Sequence, residues 1–439
     1  MTGPNMWLAR PWSERRSGET DTRRGDWRRW YERDRARIIH SSAFRGLQTK
    51  TQLLGIGGSD FHRTRLTHSL ETAQISQSIV GKLAADASLP EAARDVLPPP
   101  ALMEAIALAH DLGHPPFGHG GEIALNWCMR RHGGFEGNGQ TLRLIARLEA
   151  HSGAFGLDLA RRTLLGVLKY PRPRSRDPWP AEAAMDAPMR AADWRPVKSL
   201  FDADLPVVDW IFAPFTPDER ALIEASRADG TDCRALDTSL LELADDIAYG
   251  VHDLEDAIVL RLIAQDEVQA LWQAHRSGVA GLDGVPEDSS IAALFADDSA
   301  RKRAVGLLVN FFVVHIGLRR ENARVCPLLA WTGVLAEPAA ALLRAFMGLL
   351  RQHVIEQPVV QMLEFRGQEI VRRLFDTIAG DPARFLPAVW RDRWLAAADE
   401  TGAMRTICDY ISAMTDEQAT RNFELLFAVR GAGLAFGVL

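Results

Sequence analysis

The stretch Ala109-His110-Asp111-Leu112-Gly113-His114-Pro115-Pro116-Phe117-Gly118-His119-Gly120-Gly121-Glu122 gathers three histidines and two carboxylates among glycines and prolines. An apolar run at helical spacing, Leu102, Ala105, Ile106 and Ala109, leads into it, so the ionisable groups arrive at the buried end of a helix. Such groups are costly to bury without a partner, and a divalent cation held by imidazole and carboxylate is one. Neighbouring side chains on a helix diverge by about 100°, which lets His110 and Asp111 flank a single ion where the helix stops. The rest of the shell must come from elsewhere. His68, near the start of a helix in Arg63 to Ala73, would ordinarily be a packing or surface residue, and it becomes a ligand only if a partner site exists. In Ser239 to Ala257, Asp245, Tyr249 and Asp253 recur every four residues and share a face. Asp245 can complete the shell, with Asp246 as rival on another face, while Tyr249 and Asp253 suit a sugar.

His119 and Glu122 stand three residues apart, on one face if 118–131 is helical. A histidine oriented by a carboxylate can deliver a proton to a leaving oxygen; alternatively Glu122 caps a backbone amide. Arg45, Gln48 and Lys50 are the donors that an anionic, hydrogen-bonding ligand requires, and Arg63 and Arg65 suit a phosphate, although such residues are also common on solvated helix faces. Lys169 is placed either to meet a phosphate or to favour a helix C-terminus.

The elements that must position these groups read as helices. Trp30, Tyr31, Ile38 and Ile39 oppose arginines on one amphipathic segment, and Leu66, Leu70, Ala73, Val80 and Leu83 form a stripe on the next. Pro98 to Pro100 precedes the helix that ends in His110. Residues 135–143 are a polar turn entering another helix, and 164–170 a short apolar one. Gly55 to Ser59 is a turn too short for a phosphate loop. From 266 onward the pattern is helical at 304–318, 336–354, 359–375 and 406–427, with no strand-rich stretch. The expectation is an all-α protein: a polar segment at 1–26 with a disordered or loosely docked beginning, a core at 27–265 with a lid-like loop at 171–196, and a helical region at 266–439 that packs on the core.

Composition narrows the function classes. The formal net charge of −6 over 439 residues argues against bulk adhesion to nucleic acid or acidic lipid. Cys128, Cys233, Cys326 and Cys408 form no CxxC pair, which gives neither a zinc knuckle nor a disulfide framework and suits a reducing cytoplasm. No uncharged run reaches the roughly 18 residues needed to span a bilayer. A cytoplasmic enzyme is expected.

His68, then His110-Asp111, then Asp245, in helical context, resemble the H…HD…D arrangement of the HD superfamily. Ser42 to Leu53 (SAFRGLQTKTQL), Arg63 to Thr72 (RTRLTHSLET), Ala109 to Glu122, Phe135 to Leu142 (FEGNGQTL), Leu168 to Pro171 (LKYP) and Ala244 to Ala257 (ADDIAYGVHDLEDA) are similar to the bacterial deoxyguanosine triphosphate triphosphohydrolase branch. Asp409 to Asp416 is similar to that family's C-terminal block. The resemblance implies an HD-domain helical core with additional C-terminal helices, and hydrolysis of a deoxynucleoside triphosphate to deoxynucleoside and intact triphosphate. It implies one Mn, Mg, Ni or Fe-like divalent ion on His68, His110, Asp111 and Asp245, with a further Mg²⁺ carried on the triphosphate. His119 and Glu122 carry over as the catalytic pair, Lys169 as a phosphate contact, Tyr249 and Asp253 as sugar-site residues, and Arg45, Gln48 and Arg65 as nucleotide-pocket residues. It further implies a homo-oligomer, a hexamer, with single-stranded DNA or a dNTP as effector. The loop 172–196 and the segment 266–300 depart from the family pattern. The competing readings are an HD-type phosphodiesterase or nucleotidase, and a nucleic-acid-binding regulatory protein with a vestigial site.

Overall fold

Helix α1 (Trp30–Ile39) buries Tyr31 and Ile38 and leaves Ile39 exposed. The computed structural model describes residues 6–7, 9–20, 24–52, 63–179, 185–186, 188–225 and 233–428; the turn Gly55 to Ser59 lies outside them. Helix α2 (Arg65–Ala85) starts at Thr64, whose hydroxyl accepts from the Thr67 amide while Thr67 reciprocates. Its buried face keeps Ala73, Val80 and Leu83 of the expected stripe but not Leu70, which is half exposed; His68, Ser69, Thr72, Ile75, Ser76 and Ile79 complete the interior. Small residues on that face let α2 approach α3 (Pro100–Ala109), an alanine-rich helix that begins with proline in its first turn, where no amide is needed.

Helices α4 (Gly118–Cys128), α5 (Gly137–Arg143) and α6 (Arg161–Val167) follow, then α7 (Leu236–Ile247). A wide turn at Ala248–His252 joins α7 to α8 (Asp253–Val259). Such i→i+5 turns are rare and recur at functional sites. Within one main core, α3 packs on α1, α2 and α6, and α7 packs on α2. The N-terminal segment is docked in its described part: Trp12 is buried in this core, Arg15 pairs with Asp34 at 2.7 Å, and the Ser17 hydroxyl donates to Asp158 at 2.6 Å. Polar composition suggested a loose end, but these residues satisfy buried groups of the core and are ordered by them.

In the C-terminal half run α9 (Gln265–Val279), α10 (Asp298–Val314), α11 (Glu337–Leu350), α12 (Pro358–Gly380), α13 (Ala388–Leu395), α14 (Glu400–Ser412) and α15 (Asp416–Phe427). Two expected helices are cut. The one at 304–318 stops at Val314, and β1 (Ile316–Arg320) pairs antiparallel with β2 (Trp331–Leu335), Ile316 opposite Leu335. The helix is capped at His315, and Gly333 lets the hairpin lie against α7, where a Cβ would come 2.7 Å from the Leu240 side chain. The span 406–427 divides at Thr415, whose hydroxyl caps the Gln418 amide at 3.1 Å. The architecture is otherwise α-helical, as expected.

A second apolar cluster joins α4 to the C-terminal helices, with Leu125, Ile370, Leu374, Ile407 and Ile411 buried together. Helix α4 thus serves both halves. It crosses α12 closely: a Cβ at Gly120 would meet the Glu364 carbonyl at 2.7 Å, and one at Gly367 would meet Phe117 at 2.5 Å.

Candidate active site

Three helices deliver ionisable groups to one place. His68 comes from the first turn of α2, His110 and Asp111 from the residues that end α3, and Asp245 from the last turn of α7. His68, His110 and Asp245 each offer a donor atom, all within 4.8 Å of one another. His68 Nε2 lies 3.0 Å from Asp245 Oδ1 and His110 Nε2 lies 3.5 Å from the same oxygen. The His110 ring donates through Nδ1 to the Ala107 carbonyl at 2.7 Å, which leaves Nε2 buried with its lone pair toward the cluster and no hydrogen-bond partner. A divalent cation fits this donor set. Asp111 stands at the edge: Oδ1 is 3.4 Å from His110 Nε2, while Oδ2 accepts from Arg65 at 2.5 Å. Burial opposes ionisation of both carboxyls but is outweighed, at Asp245 by Lys169 and His110 and at Asp111 by His114, His110 and Arg65, so both lie well below the usual carboxylate range.

These groups open into a cleft of about 580 Å³. His119 and Glu122 lie in the first turn and a half of α4, with His119 Nδ1 3.1 Å from Glu122 Oε2. The imidazole is 71% exposed and the carboxylate 3%. Glu122 also accepts from the Gly137 amide at 2.8 Å, so both expected roles, orienting and amide binding, are present together. The start of α4 is set by Phe117 at φ 62°, a left-handed conformation that a bulky residue adopts only under constraint. Its amide donates to Asp416 Oδ1 at 2.9 Å, and the same carboxylate accepts from Thr51, so α15 holds the turn that presents His119.

Lys169 sits just beyond α6 and donates to Asp245 Oδ2 at 2.6 Å. Tyr249, Asp253 and Arg65 also line the cleft, and Asp246 lines it from a more exposed position. The wide turn after α7 keeps positions 245, 249 and 253 on one side. Asp253 has both carboxylate oxygens buried without a hydrogen-bond partner, and burial pushes it up to about 7. Arg45 and Gln48, expected in the pocket, are exposed and outside its lining; the short helix Ser42–Gly46 and the turn after it face them to solvent. Lys50 is buried and spent on the His114 and Ser412 carbonyls, at 2.7 and 2.9 Å. Arg63 is held by Glu71, Glu255 and Asp256. Described residues of 171–196 do not line the cleft: Met185 and Trp194 pack on Ile123 of α4.

Several lining residues carried no usable signal in the sequence. Lys198 and Tyr170 flank the loop, and α12 contributes Val360, Leu363, Glu364 and Arg366. His114 was visible in the motif but unassigned; it lies against Asp111 at 3.2 Å, and burial pushes it down to about 3. Gln52, inside the SAFRGLQTKTQL block, lines the cleft with a buried carbonyl oxygen that has no partner.

Residues 65–166 match the HD domain, and residues 334–425 match the phosphohydrolase-associated domain. Over 96% of its length the chain is 44% identical to deoxyguanosinetriphosphate triphosphohydrolase-like proteins of Shewanella loihica and Shewanella halifaxensis, covering 98% and 97% of those proteins. It is 43% identical over 95% of its length to one of Vibrio campbellii, covering 96% of that protein. With the HD residues converging at the floor of the cleft and the second matched region forming its far wall, the chain belongs to the deoxyguanosinetriphosphate triphosphohydrolase-like family of HD-domain phosphohydrolases.

Proposed function

We propose that this protein hydrolyses deoxynucleoside triphosphates, dGTP or a broader set, to the deoxynucleoside and inorganic triphosphate. The observation that carries this reading is the opening of the His68, His110 and Asp245 donor cluster into the same cleft as the His119–Glu122 pair. His68, His110, Asp111 and Asp245 would hold one divalent ion of Mn²⁺, Mg²⁺, Ni²⁺ or Fe²⁺ type, since a site without thiolates does not select a soft metal. When bound, such an ion supplies Lewis acidity at a phosphoryl oxygen and makes water more acidic.

The chain's own groups account for the rest. Glu122 fixes the His119 ring through Nδ1, so the other nitrogen, Nε2, can protonate the departing 5′ oxygen. Lys169 and Arg65 offset phosphate charge in a partly enclosed site, where such compensation is worth more than in water. Tyr249 and Asp253 line the cleft, the latter with unpartnered oxygens; a sugar seated there with C2′ against Tyr249 would have no room for a 2′-hydroxyl. A cleft of about 580 Å³ suits a nucleotide. The family's naming after deoxyguanosine triphosphate supports dGTP as first substrate. Exposed apolar side chains at Val359, Met362 and Phe365 support the expected homo-oligomer.

The test is to incubate the purified protein with each dNTP and rNTP in Mn²⁺ or Mg²⁺ and identify the products. Deoxynucleoside with inorganic triphosphate is the expected pair. Pyrophosphate or orthophosphate would instead indicate a phosphodiesterase or nucleotidase, and salt-dependent binding of single strands without turnover a regulatory protein.

A further inference from the structure

The segment that closes the 171–196 excursion returns a lysine to the cleft. Leu200 exchanges backbone hydrogen bonds with the other end of the excursion, its amide donating to the Arg172 carbonyl at 2.8 Å and its carbonyl accepting from Arg174 at 2.9 Å. Ser199 is pressed against α5, where a Cβ at Gly139 would meet the Ser199 carbonyl at 2.8 Å. This docking aims Lys198 at two carboxylates that are 2–3% exposed: its Nζ is 2.9 Å from Glu136 Oε1 and 3.7 Å from Glu122 Oε1. The lysine side chain itself is 41% exposed and lines the cleft beside Tyr170.

Glu136 is otherwise occupied as the cap of α5, accepting from the Gly139 amide at 2.7 Å and from Asn138 at 2.7 Å. Two buried carboxylates facing one ammonium, with His119 on the far side of Glu122, form a short chain of alternating charge. Burial works against the ionised form of Glu122, yet His119, Lys198 and His114 outweigh it and hold the carboxyl low. Burial raises Glu136, partly opposed by Lys198. Lys198 and His119 are thus the two nearest side chains that compensate Glu122, at 3.7 and 3.1 Å.

We propose that Lys198 is a positioning residue that couples arrival of a polyphosphate to protonation of His119. The inference rests on the proposed function. A polyphosphate in the cleft competes with Glu122 and Glu136 for the one solvent-accessible ammonium of this chain of charges. As Lys198 swings to the anion, Glu122 loses its cation, and the nearest group able to replace it is His119, 3.1 Å away. The imidazole takes one proton from solvent on Nε2, keeping Nδ1–H on Glu122, and that proton is the one delivered to the 5′ oxygen. The acid is therefore charged by the substrate it will cleave. The other charged or titratable groups facing the pair are His114, whose ring is 6.3 Å from that of His119, Arg65 beside Gly118, and Glu364 of α12 against Gly120. None of them is both mobile toward the cleft and bonded to Glu122.

The experiment measures proton uptake by the metal-loaded protein in weak buffer at pH 7.5 on addition of inorganic triphosphate, for wild type, Lys198→Met and Lys198→Arg. The expected result is uptake approaching one proton in wild type, its loss in Lys198→Met and its recovery in Lys198→Arg. A second readout is the alkaline limb of the pH profiles, since kcat/KM reports the free enzyme and kcat the substrate complex. In wild type the kcat limb should lie at higher pH than the kcat/KM limb, and in Lys198→Met the two should converge, because His119 already pairs alone with Glu122. Absence of uptake in wild type, or uptake undiminished in Lys198→Met, overturns the coupling. If triphosphate drives Lys198-dependent uptake but no dNTP releases triphosphate, the coupling stands and the proposed reaction fails.

Discussion

One wall of the cleft, built from α2, the end of α3, α4, α7 and the residues after α6, presents His68, Asp111, His119, Lys169 and Asp245; the facing wall, built from α12 and the first turn of α15, presents Val360, Leu363 and Ile370 with Glu364, Arg366 and Asp416. The first wall is defined by its ionisable groups, each compensated by another a few ångströms away. The second is defined by fit: glycines at 120 and 367 remove side chains where α4 and α12 cross, and the Asp416 carboxylate secures the left-handed turn at Phe117. Chemistry and its orientation are thus contributed by opposite halves of the chain. Losses in the first wall should appear in kcat and metal content, and losses in the second in KM and stability.

The strongest break is expected at Asp245→Asn. The substitution removes the anion that His68, His110 and Lys169 all face, so metal analysis should find the ion lost and turnover should fall to background. Retention of stoichiometric metal by this variant would argue against Asp245 as a ligand. Next comes His119→Ala, which should lower kcat by about 10²–10⁴-fold with metal content unchanged, because the ring is exposed and touches no proposed ligand. Activity within a few-fold of wild type would remove its assigned role.

Gly367→Leu probes the far wall. Its added side chain meets Phe117, so we expect about 1–3 kcal/mol lower stability by denaturant unfolding and a larger rise in KM than fall in kcat. A pure kcat loss would blur the division between the walls. An effect confined to the pH dependence of stability is expected from Lys50, whose ammonium ties the two halves through the His114 and Ser412 carbonyls. Burial, assisted by Arg65, pushes it down to about 7 from an ordinary value of 10.5. Between those pH values the unfolded chain binds more protons than the folded one, so this group's contribution to stability grows as pH rises from 7 toward 10.5 and is lost as pH falls. Lys50→Met should flatten that part of the stability profile; an unchanged slope would show that the ammonium stays charged in the fold.

The fates of similar residues show what can be inferred from sequence. Arg45, Gln48, Lys50, Arg63 and Arg65 looked equivalent as donors near the first helices. Arg45 and Gln48 end on the surface, Lys50 in a carbonyl cage, Arg63 in an ion-pair network and Arg65 at Asp111. A cation's partner is a matter of tertiary position, since an exposed, a buried and a ligand-facing arginine have the same local pattern. Leu70 gives the same lesson for apolar residues, half exposed on a stripe that predicted it inside.

By itself the sequence determined the helical class, through its 3.6-residue periodicity, and singled out His68, His110 and Asp245 as ionisable groups that converge, because ionisable residues at the buried ends of apolar helices are too costly to keep there without a shared partner. Only the tertiary structure decided which faces turn inward, that Lys198 returns from a distant loop to two buried glutamates, and that α12 closes the cleft. Those outcomes depend on packing between segments tens to hundreds of residues apart, where close approach at a glycine or one buried carboxylate fixes geometry that no local pattern encodes.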